Sequence, residues 1–257
     1  MATICPPGDN LGTTLPWALY CAMTDDPTLD PLPILRRHPW FAQLPEALQQ
    51  AVVARSRPMR LAHGQLLFRR RDPADAWYGI LQGAIRIGAA SAEGRELTLT
   101  YLEPGAWFGE ISLFDGEPRT HDGQAQGDTV LLRVARADFE ALLAEHPALA
   151  RALLQLQSQR LRMMFGLIEA ASLLPLPQRL AQQLLSLADT YGEPGPQPGT
   201  VRIALRLPQD ALGQLLGTSR QRINQALKAW ERDGWLQQRY GEIVLLRLDA
   251  LRAEAGG

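Results

Sequence analysis

The segment from Pro208 to Leu236 constrains the fold more than any other part of this sequence. Apolar residues recur at helical spacing over 209–216, Gly217 follows, and Ser219 precedes a second helical run that extends to about Arg232. Glycine adopts the positive φ that stops a helix abruptly, and a serine hydroxyl caps the helix that follows it. The pattern predicts two helices joined by a tight turn at Gly217, a helix-turn-helix.

The second predicted helix has an apolar face and a polar face. Ile223, Leu227 and Trp230 point inward at helical spacing, so polar residues near the helix start point away from the core. Residues 235–246 read as a hairpin, and 201–207 read as a further strand, which together predict a winged helix-turn-helix. The alternative is a helical hairpin that serves protein contacts and has a solvated polar face.

Polar residues near the start of such a helix can read base edges in the major groove of DNA. Arginine pairs bidentately with guanine, and asparagine or glutamine pairs with adenine. The sequence therefore predicts double-stranded DNA as a partner, with Arg220 on bases and with Arg222 and Arg239 on phosphates. The predicted DNA-contacting residues are Ser219, Arg220, Gln221, Arg222, Asn224, Gln225 and Arg239.

A region with an apolar period of two lies between residues 57 and 136. Short apolar runs alternate there with turn signals such as Gln82-Gly83, at intervals of roughly 8–12 residues. This pattern predicts a small antiparallel barrel or jelly roll. Helical spacing over 34–53, broken at Pro39 and Pro45, precedes it.

A long helical run over 148–172 follows the predicted barrel, and Pro175 ends it. Its apolar residues alternate in steps of four and three, which is the seam of a coiled coil. We expect this helix to pair with its twin in a homodimer; the alternative is that it packs on its own domain. The residues of the predicted dimer interface are Leu149, Leu153, Leu156, Met163 and Leu167.

The net charge of −1 averages over unlike parts of the chain. Residues 1–33 carry −4, whereas 201–257 contain nine Arg and Lys against six Asp and Glu, a local +3. This modest basic surplus is typical of DNA affinity assembled from two copies. Apolar runs stay well short of the roughly 18 residues that cross a membrane, and the start lacks the positive region of a secretory signal. We expect a cytoplasmic protein without a membrane partner.

The chemistry-bearing residues outside these motifs exclude several classes of protein. Cys5 and Cys21 are the two cysteines of the chain, too few for a four-thiolate iron–sulfur cluster, and the four histidines are too scattered to indicate a metal site. We find no nucleophile–base arrangement, and we therefore expect no enzymatic activity.

The segment from Trp107 to Asp122 carries a candidate anion site. Gly109 and the residues after it would open a short helical turn whose free N–H groups can face a phosphate. Arg119 could pair with that phosphate, and Glu110 could accept from a ribose hydroxyl. The predicted effector pocket consists of Gly109, Glu110, Ile111, Ser112, Arg119 and Thr120. The alternative is a set of barrel turns in which Glu110, Arg119 and Asp122 form a structural ion-pair cluster.

The order of these motifs resembles the catabolite-activator/fumarate-nitrate regulator (CRP/FNR) family of bacterial transcription factors. The resemblance covers roughly residues 34–247 and includes Phe108-Gly109-Glu110, Pro118-Arg119 and Gly217-Thr-Ser219-Arg220. It implies a homodimer joined by the long helix, an effector in the barrel, a palindromic operator and contact with RNA polymerase. An alternative of another class is a nucleotide-sensing module that regulates a protein partner.

Two departures from the family pattern bear on the effector. Thr120-His121-Asp122 follows Arg119, which places a carboxylate where it would compete for the arginine. Met164 and Phe165 lie where the catabolite activator offers hydroxyls to adenine. These departures disfavour cyclic AMP in the usual mode and leave a cyclic dinucleotide, another effector or none open.

The predicted fold class is α+β, in four parts. They are a flexible extension (1–33), a cyclic-nucleotide-binding-like jelly roll that senses an effector (34–147), a dimerisation helix (148–174) and a winged helix-turn-helix DNA-binding domain (175–257).

Overall fold

The computed structural model describes residues 30–90, 96–239 and 242–256, so most of the predicted extension and both cysteines lie outside the described residues. The last residues of the predicted extension, 31–33, are helical, because Pro31 begins the first helix. Three short helices open the described chain: α1 (Pro31–Leu35), α2 (Pro39–Ala42) and α3 (Glu46–Ala54). Pro39 takes the first helical position of α2 and Pro45 caps α3, so the two prolines divide the helical run where the sequence predicts.

Six antiparallel strands form the barrel. They are β1 (Ser56–Leu61), β2 (Leu66–Phe68), β3 (Ala76–Ala90), β4 (Glu96–Leu102), β5 (Trp107–Phe108) and β6 (Asp122–Ala135), and a one-turn helix α4 (Ile111–Phe114) follows β5. The strand order is β1-β6-β3-β4, with β2 paired to β6 and β5 paired to β3.

Strand β3 is longer than the sequence pattern predicts. The pattern gives two strands, 77–81 and 84–87, separated by a turn at Gln82-Gly83, whereas the structure has one continuous strand. Gly83 adopts a φ of +76° inside it, and the register against β6 shifts on either side of Gln82. The glycine therefore marks a bulge that bends the strand, because only glycine adopts this backbone conformation without strain.

Three helices follow the barrel: α5 (Arg136–Glu145), α6 (Pro147–Leu173) and α7 (Leu176–Tyr191). The first half of α6 packs on the barrel, where Leu149, Leu153 and Leu156 join a core cluster with Trp77. The indole N–H of Trp40 donates to the Ala152 carbonyl at 2.6 Å and fixes α6 against α2.

This packing corrects part of the predicted dimer interface. Leu149, Leu153 and Leu156 are 0%, 0% and 4% exposed within a single chain, so they have no surface left for a partner. Met163 and Leu167 lie on the exposed second half of α6. The apolar seam thus differs along one helix, because its first half packs on the barrel and its second half is exposed to solvent.

The C-terminal unit begins with α7 and, within the described residues, continues with four strands and three further helices. They are β7 (Gly192–Pro194), β8 (Val201–Ile203), α8 (Gln209–Leu216), α9 (Arg220–Arg232), β9 (Leu236–Arg239), β10 (Glu242–Leu245) and α10 (Leu248–Glu254). The sheet order is β7-β8-β10-β9, so β9 and β10 form the predicted wing. The Gly- and Pro-rich segment 192–199 is part of a hairpin, because β7 pairs with β8. Among the described helices, none is long and apolar enough to cross a membrane.

Candidate nucleic-acid interface and effector cavity

The turn between α8 and α9 depends on two glycines, Gly217 at the end of α8 and Gly213 within it. Gly217 has a φ of +61°, and the N–H of Thr218 donates to the Gly213 carbonyl at 2.9 Å. A Cβ on Gly213 would lie 2.8 Å from the carbonyl oxygen of Thr218, so the turn passes too close to α8 for a side chain there. The Ser219 hydroxyl accepts from the N–H of Arg222 at 3.4 Å, which identifies Ser219 as the N-cap of α9.

The apolar face of α9 is buried as the sequence predicts. Ile223 and Leu227 are fully buried and Trp230 nearly so, in one core with Leu212 of α8. Trp230 also stacks on Trp235 at the start of the wing, with ring centroids 5.8 Å apart. Burial of this face leaves the opposite face of α9 to solvent.

The exposed face of α9 begins at its first turn. Gln221, Arg222 and Gln225 are exposed, and the Arg220 side chain is 67% exposed. The guanidinium of Arg220 lies 3.4 Å from the carboxylate of Asp210 on α8. Of the predicted DNA-contacting residues, the structure therefore places these four on one solvent-facing surface.

Asn224 is held more firmly than the sequence indicates. Its Oδ1 accepts from the Gln209 amide at 3.2 Å, and the same nitrogen donates to Gln238 of the wing at 3.0 Å. Gln209 thereby ties α8, α9 and β9 together beside the exposed face. Gln209 is not among the residues predicted from the sequence, and its position directly after Pro208 is the signal that could have indicated it. The side chain of Arg239 lies outside what the structure describes.

Arg119 is buried beneath the predicted phosphate turn. Its Nη1 donates to the Gly109 carbonyl at 2.8 Å and its Nη2 to the Ala76 carbonyl at 2.7 Å, and the guanidinium stacks on Phe68 at 4.5 Å. Nη2 also lies 3.4 Å from the carboxylate of Asp75. Two backbone carbonyls and one carboxylate thus position an arginine that sequence reasoning assigned to a phosphate.

Glu110 is fully buried at the same turn. Its Oε1 accepts from Nη1 of Arg160 on α6 at 2.6 Å and from the Gln157 amide, and Arg160 also donates to the Trp107 carbonyl. The structure therefore links the turn to the long helix through an ion pair whose carboxylate is buried and whose arginine is partly exposed. Arg160 interrupts the apolar seam of the helix, and that interruption was the sequence signal for this contact.

The ion-pair cluster considered from the sequence does not form. Asp122 accepts from the backbone N–H of Arg70 at 2.7 Å, whereas Asp75 is the carboxylate beside Arg119. Glu110 and Arg119 are the predicted partners of Asp122. Each instead pairs with a nearer residue of opposite charge, Glu110 with Arg160 and Arg119 with Asp75. The expected competition of Asp122 for Arg119 is therefore wrong, and Asp75 takes that place.

Charged groups around Arg119 shift the pKa values of Asp75 and Tyr78. Burial acts to raise the pKa of Asp75, but the hydrogen bond and charge of Arg133 outweigh it, and the pKa falls below its usual value. Burial, followed by the charge of Asp75, raises the pKa of Tyr78 to about 12. Asp75 therefore stays ionised and Tyr78 stays protonated at neutral pH.

The predicted pocket residues border a cavity of about 630 Å³. Gly109, Glu110, Ile111, Ser112, Arg119 and Thr120 all lie in its wall. Their side chains differ in availability, because the Ser112 hydroxyl donates to the Pro118 carbonyl at 3.1 Å and that of Thr120 lies 2.9 Å from a ring nitrogen of His121. Within the described residues, three buried atoms of the cavity lining have no hydrogen-bond partner: Oε2 of Glu110, Nε of Arg119 and the hydroxyl of Tyr191.

The far end of the cavity is lined by residues that sequence reasoning did not identify. Burial raises the pKa of Glu103, whose carboxylate lies 3.9 Å from Nε2 of His38. Burial and then the charge of Arg160 lower the pKa of His38. Tyr191 of α7 also borders this end, and its pKa is raised by burial and then by Glu103.

Polar contacts join the barrel to the helix-turn-helix. Gln214 of α8 accepts from the Thr98 hydroxyl at 3.0 Å and from Arg86 at 3.4 Å, and its amide donates to Glu96 at 3.2 Å. These three partners lie on β3 and β4, and β4 also contributes to the cavity wall. The first helix of the motif is thus docked on a strand that borders the cavity.

An exposed polar helix face beside a wing, joined to a barrel with a cavity, defines a winged helix-turn-helix DNA-binding regulator with an N-terminal barrel. Comparison with known families agrees. Residues 58–146 match the cyclic nucleotide-binding domain, and residues 178–254 match the Crp-like helix-turn-helix domain.

Individual relatives give the same result. The CRP-like cAMP-activated global transcriptional regulator of Mycobacterium tuberculosis (strain H37Rv) is 30% identical over 213 residues, which are 83% of this chain and 94% of the relative. The transcriptional regulator SdrP of Thermus thermophilus is 31% identical over 190 residues, 72% of this chain and 87% of the relative. The chain therefore belongs to the CRP/FNR family of transcriptional regulators, whose members bind DNA and act as dimers.

Solved structures resemble this fold over most of its length. A CRP/FNR-family transcriptional regulator from Thermus thermophilus superposes with a TM-score of 0.67 at 28% identity and covers 78% of this chain and 99% of its own. The c-di-GMP responsive global regulator CLP of Xanthomonas campestris has the same TM-score and coverage at 25% identity. These relatives are DNA-binding regulators, which favours the DNA interpretation over the protein-partner alternative.

Proposed function

We propose that this regulator binds a two-fold symmetric DNA site as a homodimer and reads its bases with the first turns of α9. The observation that carries the proposal is the exposed position of Arg220, Gln221 and Gln225 opposite a buried apolar face. Two copies would place two such helices in successive turns of the major groove, about 34 Å apart. Arg222 and Arg239 are proposed as phosphate contacts, and Asn224, held by Gln209, as a further base contact.

The second half of α6 is the proposed dimer interface. Apolar side chains from this half are exposed in the single chain, and so large an apolar surface marks an interaction site. The large apolar residues exposed on this half are Leu161, Met163, Met164, Phe165, Leu167, Ile168 and Leu173. Met163 and Leu167 remain from the predicted interface, and the three leucines of the first half are replaced by these neighbours.

The proposed effector is a cyclic nucleotide in the barrel cavity. The unpartnered Nε of Arg119 can donate to a phosphate oxygen while both Nη atoms keep their carbonyl partners, and the unpartnered Oε2 of Glu110 can accept from a ribose hydroxyl. A cavity of about 630 Å³ is within the usual range for small-molecule sites. The names of two relatives, one cAMP-activated and one c-di-GMP responsive, support the same ligand class.

The proposal places the protein in the cytoplasm, where it contacts RNA polymerase and catalyses no reaction. The relatives are transcriptional regulators, which supports this assignment.

The proposal is tested by gel-shift titration of the DNA upstream of the protein's own gene. Wild type is expected to shift this DNA as a dimer, and Arg220→Ala is expected to lose the shift at the same concentration. A shift of equal affinity in both proteins would contradict the assignment of α9 as the reading helix.

A further inference from the structure

One wall of the effector cavity comes from the DNA-binding unit rather than from the barrel or the long helix. Five residues of α7 line the cavity: Gln183, Ser186, Leu187, Thr190 and Tyr191. Their spacing of three, one, three and one places them on one face of the helix. Helix α7 packs in the core cluster of the C-terminal unit through Leu180 and Leu184, so its movement carries that unit with it.

The polar groups on this wall are not used by the fold. Among the described residues, the side chains of Gln183, Ser186 and Thr190 make no hydrogen bond, although other side chains of α7, such as Gln182, do. The hydroxyl of Tyr191 is buried and has no hydrogen-bond partner over residues 30–90, 96–239 and 242–256. A wall with one amide and three hydroxyl groups therefore faces the cavity with its hydrogen-bonding capacity free.

The long helix presents a different surface to the same cavity. Its lining residues beyond Arg160 are Leu161, Met163 and Met164, which are apolar. Arg160 itself is bonded to Glu110 and to the Trp107 carbonyl, and Gln157 is bonded to Glu110. Beyond Arg160, these α6 side chains can cover the faces of a ligand ring but cannot satisfy the polar edge of that ring.

At the opposite end of the cavity, an anionic or hydroxyl-bearing group of a ligand would satisfy polar atoms of the protein. In the part of the chain that the structure describes, Nε of Arg119 and Oε2 of Glu110 have no hydrogen-bond partner, and both residues are at least 97% buried. A buried polar atom without a partner costs free energy unless a ligand or water satisfies it. The cavity is thus polar from the Arg119 end to Gln159 and Arg160 of α6, apolar along α6 beyond Arg160, and polar again along α7.

We infer that the cavity binds a cyclic purine nucleotide whose phosphate and ribose face Arg119 and Glu110 and whose base is hydrogen-bonded by Gln183, Ser186 and Thr190. This inference rests on the proposed nucleotide effector and adds the residues that select its base. A nucleotide bound in this way touches the DNA-binding unit directly, so the base contributes to the orientation of α9 through α7.

Calorimetric titration of the full-length protein tests the inference, with cyclic AMP, cyclic GMP and cyclic di-GMP as the ligands. The variants are the triple Gln183→Ala/Ser186→Ala/Thr190→Val, the single Gln183→Ala, the anchor variant Arg119→Ala and the matched control Gln182→Ala. Gln182 is adjacent on the same helix and lies outside the cavity wall.

We expect one of these nucleotides to bind the wild type and the Gln182→Ala control with the same Kd. The triple variant should raise that Kd about tenfold or more, and Gln183→Ala alone several-fold, because each lost hydrogen bond costs a factor of roughly 2–13. A second measurement does not depend on the variants: the side-chain amide NMR signal of Gln183 should shift on addition of the nucleotide.

Two results separate the inference from the proposal beneath it. If a nucleotide binds and Arg119→Ala weakens it, but the triple variant and the Gln183 signal are unaffected, the role of α7 is wrong and the nucleotide effector stands. If none of the three binds the wild type, or if Arg119→Ala leaves the Kd unchanged, both the effector and the role of α7 are wrong.

Discussion

Arg220 is the residue proposed to read bases, and in the structure its guanidinium lies beside the carboxylate of Asp210. The two side chains are 67% and 59% exposed, so their ion pair at 3.4 Å contributes little to stability and is easily exchanged. An arginine kept near its working position in this way can leave the carboxylate for the O6 and N7 atoms of a guanine. Asp210 therefore positions the guanidinium without fixing it.

Replacement of Arg220 by alanine should reduce operator affinity by ~1–3 kcal/mol and relax base preference at one position of each half-site. The measurement is fluorescence anisotropy with the operator and its single-base variants. Arg222→Ala is the control and should weaken all sequences alike, with a salt dependence lowered by about one phosphate contact. Unchanged base preference in Arg220→Ala would assign base reading to another residue.

The turn of the helix-turn-helix leaves no room for a Cβ atom at Gly213. Gly213→Ala should weaken operator binding at least several-fold, because the new Cβ would lie 2.8 Å from the Thr218 carbonyl and displace the start of α9. Gly127→Ala is the control, since it has a φ of +78° and meets no described atom within 4 Å. It should cost about 1–2 kcal/mol of unfolding free energy and leave the operator Kd unchanged. Equal operator affinity in the two variants would contradict this account of the turn.

At the scale of elements, α6 shows what periodicity can and cannot predict. The steps of four and three located the helix to within a residue at each end, from 148–172 predicted to Pro147–Leu173 observed. The same pattern could not distinguish a partner helix from the barrel, because both bury an apolar stripe. Leu153 was therefore assigned to a dimer interface although it fills the barrel core.

Two variants of α6 should separate its halves. Leu153→Ala should lower the unfolding free energy by about 2–5 kcal/mol and leave the oligomeric state unchanged, because the side chain is fully buried within one chain. Leu167→Glu should convert the dimer to a monomer at micromolar concentration with little loss of protomer stability. Thermal unfolding and sedimentation velocity measure the two effects, with Glu169→Gln as a surface control. A dimer that survives Leu167→Glu would exclude this face as the interface.

The elements that the sequence predicted best are those with local signals. Residues 209–216 and the start of α9 follow from a glycine that ends one helix and a serine that caps the next, and both act within a few residues. The partners of Arg119 and Glu110 could not be predicted, because Asp75 and Arg160 lie 44 and 50 residues away along the chain. Helices α5 and α10 were missed, since α5 continues directly from β6 and α10 is only seven residues long.

At the scale of the whole molecule, the cavity lies where barrel, long helix and DNA-binding unit meet. Strand β4 borders the cavity near its last residue, which Glu103 directly follows, and near its first residue it binds Gln214 of α8 through Glu96 and Thr98. Two contacts of the DNA-binding unit therefore adjoin the cavity, one made by α7 and one made by α8.

The buried Glu103 carboxyl should make the stability of this junction depend on pH. Its pKa is raised above the usual 4.5, so the folded protein holds a proton that the unfolded chain has lost. Stability should fall as pH rises from 4.5 to the raised value, and it should then stay constant. Glu103→Gln should remove this slope and be more stable than wild type at neutral pH, with the difference vanishing below pH 4.5. Urea unfolding of both proteins from below pH 4.5 to neutral pH measures the effect. An unfolding free energy that depends on pH equally in the two proteins would contradict it.

The most direct test of the account is selection of DNA from a random duplex pool by the full-length protein, in the presence and absence of the cyclic nucleotides. The account predicts enrichment of a two-fold symmetric sequence whose half-sites lie about one helical turn apart. Arg220→Ala should enrich sequences that have lost one base preference in each half-site. Enrichment of an asymmetric site, or of the same sequences by Arg220→Ala, would contradict a homodimer that reads DNA with α9.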